Sequence, residues 1–231
     1  MPDFWRITVF ILLCALARLV RLIFQSRGTK NRHVPRHRQA SDTCSLAVFL
    51  GSGGHSSEAL SLLSSLDFNR YTPRKYVVGE GDILSAEKAV SLETSKATGA
   101  LPQSGTDYNI LVIPRARRVQ QSLFLTPPTA LRSLLACVFH VSIAPLISSG
   151  PGSSSFADVL ILNGPGTCFV LCIAVYLNRF LGMPSPRLIY VESFARVKSL
   201  SLSGKLLRPF VDRFLVQWSQ INKGECRGWL V

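Results

Sequence analysis

The sequence predicts an α/β fold: a Rossmann-like, doubly wound parallel sheet behind an N-terminal transmembrane helix. Three observations predict it. An apolar run opens the chain and is followed at once by positive charge. Short, near-continuous apolar runs then alternate with helix-period stretches, the pattern of parallel strands buried on both faces. Glycine-, arginine- and asparagine-bearing turns follow directly on those runs, where open α/β sheets bind ligands.

The opening run, Phe4 to Phe24, is apolar except for Arg6, Thr8, Arg18 and Arg21. As a helix it would span roughly 31 Å, about the thickness of a bilayer core. Its uninterrupted part is Ile7 to Ala17, so the flanking arginines must snorkel toward headgroups. A cleaved signal peptide is the alternative, but such a peptide carries its charge before the apolar region. Here residues 1–40 hold eight Lys and Arg against Asp3, with most of that charge after the run. The positive-inside rule therefore places the N-terminus in the lumen and the rest of the chain in the cytosol. Residues 1–24 read as a membrane anchor and 25–43 as a basic tether; 44–220 form the Rossmann-like domain, and 221–231 an atypical tail.

The charge of +13 divides into +7 in that leader and +6 in the remaining chain, a modestly basic domain. The run Arg27, Lys30, Arg32, Arg36, Arg38 has no interleaved aromatics, which argues against nucleic-acid binding and for juxtamembrane charge. The six cysteines form no C-x-x-C pair, and four of them lie in apolar stretches as small hydrophobes. A reducing compartment fits this usage. Among the histidines, His33 and His37 fall in the tether and His140 in an apolar helix, so no zinc set emerges.

Within the domain, expected strands are Ser45–Leu50, Lys75–Val78, Asn109–Ile113, Val159–Leu162, Leu188–Val191 and Arg213–Val216. Expected helices are Ser57–Leu66, Ile83–Thr94, Thr129–Leu146, Thr167–Leu181 and Ser199–Val211. Gly99–Asp107 and Ser148–Ser155 read as loops. Leu131–Ile147 is apolar nearly all round, either a buried helix or a face for lipid or a partner.

Four turns then fall on one sheet edge. After the first strand comes Gly51-Ser52-Gly53-Gly54-His55-Ser56-Ser57-Glu58, whose backbone N–H groups can approach an anion. It lacks the Lys-Ser/Thr of a P-loop, and Ser56 stands where a dinucleotide fingerprint has its third glycine. Glu80, past the second strand, suits a ribose-binding acid, and Glu58 opposes a phosphate at that place. A tight turn with no ligand is the bland reading. His55 suits proton transfer near neutrality, diphosphate contact or helix capping. Arg115, Arg117 and Arg118 after the third strand read as a diphosphate clamp or a solvated loop. Asn163, Gly164, Gly166 and Thr167 form the turn after the fourth, and Glu192 opens the turn after the fifth.

Together, VFLGSGGHSSE, NILVIPRARRVQQS, LILNGPGTCFV, LIYVESFARVKSLSLSGKLL and DRFLVQW resemble the membrane subunit of the eukaryotic UDP-N-acetylglucosamine transferase. That enzyme adds the second sugar to dolichol-diphosphate-linked N-acetylglucosamine. The family is similar in turn to the N-terminal half of bacterial lipid-linked N-acetylglucosaminyltransferases, which have a GT-B fold. The resemblance implies an acceptor-side subunit anchored in the endoplasmic reticulum membrane, with the nuclear envelope as a second address. It implies a heterodimer with a cytosolic catalytic subunit that binds UDP-N-acetylglucosamine, a dolichyl-diphosphate acceptor, no metal and no cofactor. By the same resemblance His55 is the first candidate for base or acceptor contact and Glu192 the second. Gly51, Gly53, Gly54, Arg115, Arg117, Asn163, Gly164 and Gly166 would surround the acceptor and its diphosphate. A pure anchoring role stays open, and a dinucleotide-dependent oxidoreductase is the alternative from another class. After DRFLVQW the family continues into a longer hydrophobic tail, so residues from Ile221 on stand out as a departure.

Overall fold

The computed structural model describes residues 2–28, 43–97, 108–117, 121–122, 124, 126–148, 155–164, 166–221, 224–228 and 230. Most of the expected tether, both expected loops and Arg118 lie outside the described residues. Helix α1 (Pro2–Gly28) carries the apolar run Trp5–Phe24, with mean hydropathy 2.4 and no part buried. Its length and composition suit a membrane span. Seven parallel strands follow: β1 (Leu46–Leu50), β2 (Arg74–Gly79), β3 (Tyr108–Ile113), β4 (Val159–Asn163), β5 (Arg187–Val191), β6 (Arg213–Val216) and β7 (Glu225–Cys226). Their spatial order is β3-β2-β1-β4-β5-β6-β7, so the winding reverses between β1 and β4.

The near-continuous apolar runs are explained by the two cores that this sheet separates. Ala47 and Phe49 of β1 join Val77, Leu160 and Leu162 on one face, which is covered by α4 (Thr126–Val138) and α6 (Thr167–Leu181). Leu46, Val48 and Leu50 join Tyr76, Val78 and Ile161 on the other, under α2 (Gly54–Ser64) and α3 (Ile83–Ala97). In the central strands β1 and β4 nearly every residue thus faces one or the other helical layer, and alternation vanishes from the sequence. Two ion pairs, one buried and one partly buried, tie helices to the sheet. Arg74 donates to both oxygens of Glu93 at 2.7 and 2.9 Å, with Tyr76 Oη donating to the same carboxylate at 2.6 Å. Arg179 pairs with Asp212, whose Oδ2 also accepts from Leu188 N at 2.7 Å.

Several boundaries differ from the sequence reading. Helix α2 begins at Gly54, because Gly53 makes the turn at φ 69° and the helix follows at once. His55 is therefore in the first helical turn rather than in a loop. The expected helix Thr129–Leu146 runs from α4 through a π-helical turn at Phe139–Ile143 into α5 (Ala144–Ser148). The expected Ser199–Val211 shrinks to α7 (Leu202–Leu207), since the Ser201 hydroxyl caps it by accepting from Gly204 N at 2.9 Å. Finally, the sheet does not stop at residue 220. Ile221 is buried, and β7 pairs with β6 through Leu215↔Glu225 and Val216↔Cys226. Gly224 permits this approach, as a Cβ there would stand 2.8 Å from the Val216 side chain.

Candidate functional site

The site grows from the point where the winding reverses. Parallel register sets Leu50 beside Asn163, so the turns leaving β1 and β4 start side by side. They cross so closely that both must be glycine. A Cβ on Gly51 would stand 2.9 Å from Asn163 O, 2.9 Å from His55 Cβ and 3.2 Å from Gly164 Cα. Gly164 itself has φ 136°, a conformation that L side chains rarely adopt. Gly53 and Gly54 meet nothing within 4 Å on their Cβ side, so the rim of this turn is open.

Beneath that rim lies a connected polar cluster. His55 Nδ1 sits 2.9 Å from Asn163 Oδ1, and Asn163 Nδ2 donates to Glu58 Oε2 at 3.2 Å. Ser193 Oγ, from the turn after β5, donates to Glu58 Oε1 at 2.8 Å. Glu58 Oε2 is 4.0 Å from His55 Nδ1, across one turn of α2. The His55 side chain is 35% exposed and that of Glu58 17%, so the ring reaches the surface while the carboxylate supports it from inside. Ser56 takes no part; its hydroxyl bonds Gly51 O and meets Ser85 Oγ at 2.6 Å, fastening α2 to α3.

The arginines lie along the same edge, one strand further out. Arg115 stretches across Gly79 at the end of β2, where a Cβ would stand 3.1 Å from its Cγ and Nε. Among the described residues its nearest acid is Asp82 at 3.9 Å, too long for a hydrogen bond, and none of them takes its guanidinium donors. Arg117 donates instead to the carbonyl of Gln121, at 3.0 Å through Nη2. The backbone that carries both is clamped: Ser133 Oγ donates to Pro114 O at 2.7 Å and Thr129 Oγ1 to Ala116 O at 3.0 Å. Glu80 faces Arg132 at 3.6 Å on the surface. Gly166 precedes the first turn of α6, again with open space on its Cβ side.

Glu192 stands apart from this group. It is 1% exposed, and its carboxylate accepts from Ser193 N at 3.2 Å and from Ser201 N and Oγ at 3.1 Å. A Cβ on Gly204 would overlap its Oε2. The carboxylate is thus held by donors of the β5–α7 turn and shut away from solvent.

The structure accordingly gathers Gly51, Gly53, Gly54, His55, Asn163 and Gly164 at the switch point, with Arg115, Arg117 and Gly166 beside them on the edge. Two members of the cluster escaped the sequence reading as site residues, Glu58 and Ser193. The i,i+3 spacing of His55 and Glu58 on a helix was the available signal for the first; none announced the second. Among the described residues, no three of His, Cys, Asp and Glu gather as a metal site would need.

Comparison with known proteins places the chain in a family. Residues 46–229 match the family model for oligosaccharide biosynthesis proteins of the Alg14-like type. A protein of Cryptococcus neoformans named UDP-N-acetylglucosamine transferase subunit ALG14 is 49% identical over 221 residues, covering 96% of this chain and 93% of the relative. Proteins of the same name from Schizosaccharomyces pombe and Homo sapiens are 48% and 40% identical, covering 76% and 79% of this chain. The match takes in the glycine turn, the arginine loop, Asn163 and the strand β7 alike. The chain belongs to the Alg14 family of oligosaccharide biosynthesis proteins.

Proposed function

We propose that this chain is the membrane-anchoring, acceptor-side subunit of a UDP-N-acetylglucosamine transferase that adds the second N-acetylglucosamine to dolichyl-diphosphate-N-acetylglucosamine. The observation that carries the reading is the match itself: relatives named UDP-N-acetylglucosamine transferase subunit ALG14 align over 93% and 79% of their own length. None of the reported relatives is named for redox chemistry, so the oxidoreductase alternative gains no support.

In this reading α1 holds the domain on the cytosolic face of the endoplasmic reticulum, and a soluble subunit brings the nucleotide sugar. The two subunits together make a GT-B enzyme, with the acceptor against the edge described above. The acceptor's 4-hydroxyl attacks the anomeric carbon of the donor, inverting it, while UDP leaves. His55 takes the hydroxyl proton or holds the acceptor sugar. Arg115 and Arg117 hold the acceptor diphosphate, Arg115 with the freer donors. Glu192 would have to give up three hydrogen bonds to reach a substrate. Its buried carboxylate fits better as the pin of the β5–α7 turn, which presents Ser193 to Glu58.

The test is reconstitution of the full chain with its co-purified partner in lipid nanodiscs, followed by transfer from UDP-N-acetylglucosamine. His55→Ala and Arg115→Ala should each impair transfer while the partner stays bound. If both variants transfer at the wild-type rate, the chain is an anchor alone. Activity without any partner would place the donor site on this chain and refute the division of labour.

A further inference from the structure

We infer that Glu58 is a positioning residue which, through Asn163, fixes the tautomer of His55. The inference rests on the proposed role of His55 and adds how the ring is prepared for it.

The logic runs outward from the carboxylate. Glu58 Oε2 can only accept, so the nearer group of Asn163, 3.2 Å away, must be its NH₂. The reversed amide would set its oxygen against the carboxylate and lose that bond. Ser193 Oγ, donating to Oε1 at 2.8 Å, holds the carboxylate in this rotamer. With the amide so oriented, Asn163 offers its carbonyl oxygen to His55 Nδ1 at 2.9 Å. A carbonyl cannot donate, so Nδ1 must carry the proton. In neutral imidazole the second nitrogen, Nε2, then keeps its lone pair. Nε2 has no hydrogen-bond partner among the described residues, and the ring is partly open to the cleft. An acid usually disfavoured under a glycine turn that faces phosphate is thereby explained: it orients the amide rather than touching the ligand.

The consequence is that the ring presents an acceptor, never an N–H, toward the acceptor hydroxyl. Free neutral imidazole favours the opposite tautomer, with Nε2 protonated, so the cluster reverses an intrinsic preference. Three segments take part: the start of α2, the end of β4 and the turn after β5.

The experiment labels the histidines of the full chain with ¹⁵N in nanodiscs with its partner, at mildly alkaline pH where imidazole is neutral. His55→Ala identifies the His55 signals by subtraction from those of the other histidines. Wild type should show Nδ1 protonated and Nε2 bare. Glu58→Ala should mix the tautomers and lower kcat about tenfold or more with little change in acceptor KM. Glu58→Gln, which can still accept from Asn163 Nδ2, should restore the tautomer and most of the rate. A wild-type ring protonated on Nε2 would overturn the inference without recourse to any variant. So would Glu58→Ala with its Nδ1 proton and kcat intact. Should His55→Ala transfer normally while Glu58→Ala still mixes the tautomers, the base assignment falls and the positioning stands.

Discussion

Three glycines of one turn should answer very differently to the same methyl group. At Gly51 the added Cβ would meet Asn163 O and His55 Cβ, both at 2.9 Å, about 0.5 Å inside ordinary contact. One obstacle is backbone and the other is the root of the His55 side chain, so relief means parting the two turns. A displacement of that size would stretch the His55–Asn163 bond from 2.9 Å past the range of a good N–H···O bond. Overpacking of this kind costs about 1–3 kcal/mol, which in a chain of this size lowers Tm by roughly 2–12 °C. Misplacing the ring by half an ångström to one ångström should slow transfer by about tenfold to a hundredfold. Gly53→Ala meets no atom but must hold φ 69°, ψ −126°, a strain of about 1–3 kcal/mol that leaves the cluster intact. Gly54→Ala meets no atom and opens a helix, so it should leave stability unchanged or raised by up to about 1 kcal/mol. Thermal melts and transfer rates of the three complexes test this together. Gly51→Ala with wild-type Tm and rate would refute the close-crossing argument. Gly54→Ala with wild-type Tm and no transfer would show that the open space above it is filled by substrate.

Arg115→Ala should raise acceptor KM with a smaller effect on kcat, because its donors are free for an anion; Arg117→Ala, whose guanidinium is spent on Gln121 O, should do less. Initial rates against acceptor concentration separate the two. Asp212→Ala leaves the partly buried Arg179 without this carboxylate and Leu188 N without its acceptor, a loss of roughly 1–3 kcal/mol that urea unfolding would register. Alkaline pH should unfold the domain through Tyr76. Burial and the Glu93 carboxylate raise its pKa well above the ordinary value, so the unfolded chain loses the proton first. Stability is then full below about pH 10 and falls above it by about 1.4 kcal/mol per pH unit. Tyr76→Phe should flatten that slope in melts taken across the alkaline range.

The sheet was legible because its strands are buried on both faces. Ala47, Val77, Leu160 and Leu188 are fully buried, and such residues leave unbroken apolar runs that no helix of this length would imitate. Strand β7 was not legible. Glu225 and Cys226 have no apolar pattern, and what places them is β6 beside them and a glycine that lets Phe214 and Val216 come close. At the site, Gly51 and Asn163 announced themselves as turn residues after strands. Glu58 did not, because its partner Ser193 lies 135 positions away and only the sheet order joins them. Glu192 showed its position but not its burial, since the donors that enclose it come from Ser193 and a helix cap at Ser201.

Helix α1 and the candidate site lie toward opposite ends of α6, and the lipid-linked acceptor of the proposed function would require both to meet one membrane. Helix α1 touches the far end of α6: Arg18 lies over the Phe180 ring and beside Gly182, and Leu22 and Ile23 pack on the core. The near end of α6, at Thr167, borders the site; its 15 residues set the two about 22 Å apart. Standing upright on α1, the domain would hold the site away from the lipid. Lying on its side, it would not. The helical run from Thr126 to Ser148 is longer, about 34 Å, and begins beside the arginine loop, where Thr129 Oγ1 donates to Ala116 O. It packs on α6 by Cys137, Val141 and Ser142, whose hydroxyl donates to Asn178 Oδ1, and exposes Leu131, Leu135, Phe139, Ile143 and Ile147 along its length. One-sided packing argues against a second span and for a helix laid in the interface, apolar face down. Leu135→Glu with Phe139→Glu should then release a chain lacking residues 1–28 from liposomes and lower transfer by the full-length complex. Full transfer by that full-length variant would mean the acceptor reaches the site some other way, and the upright domain would have to be reconsidered.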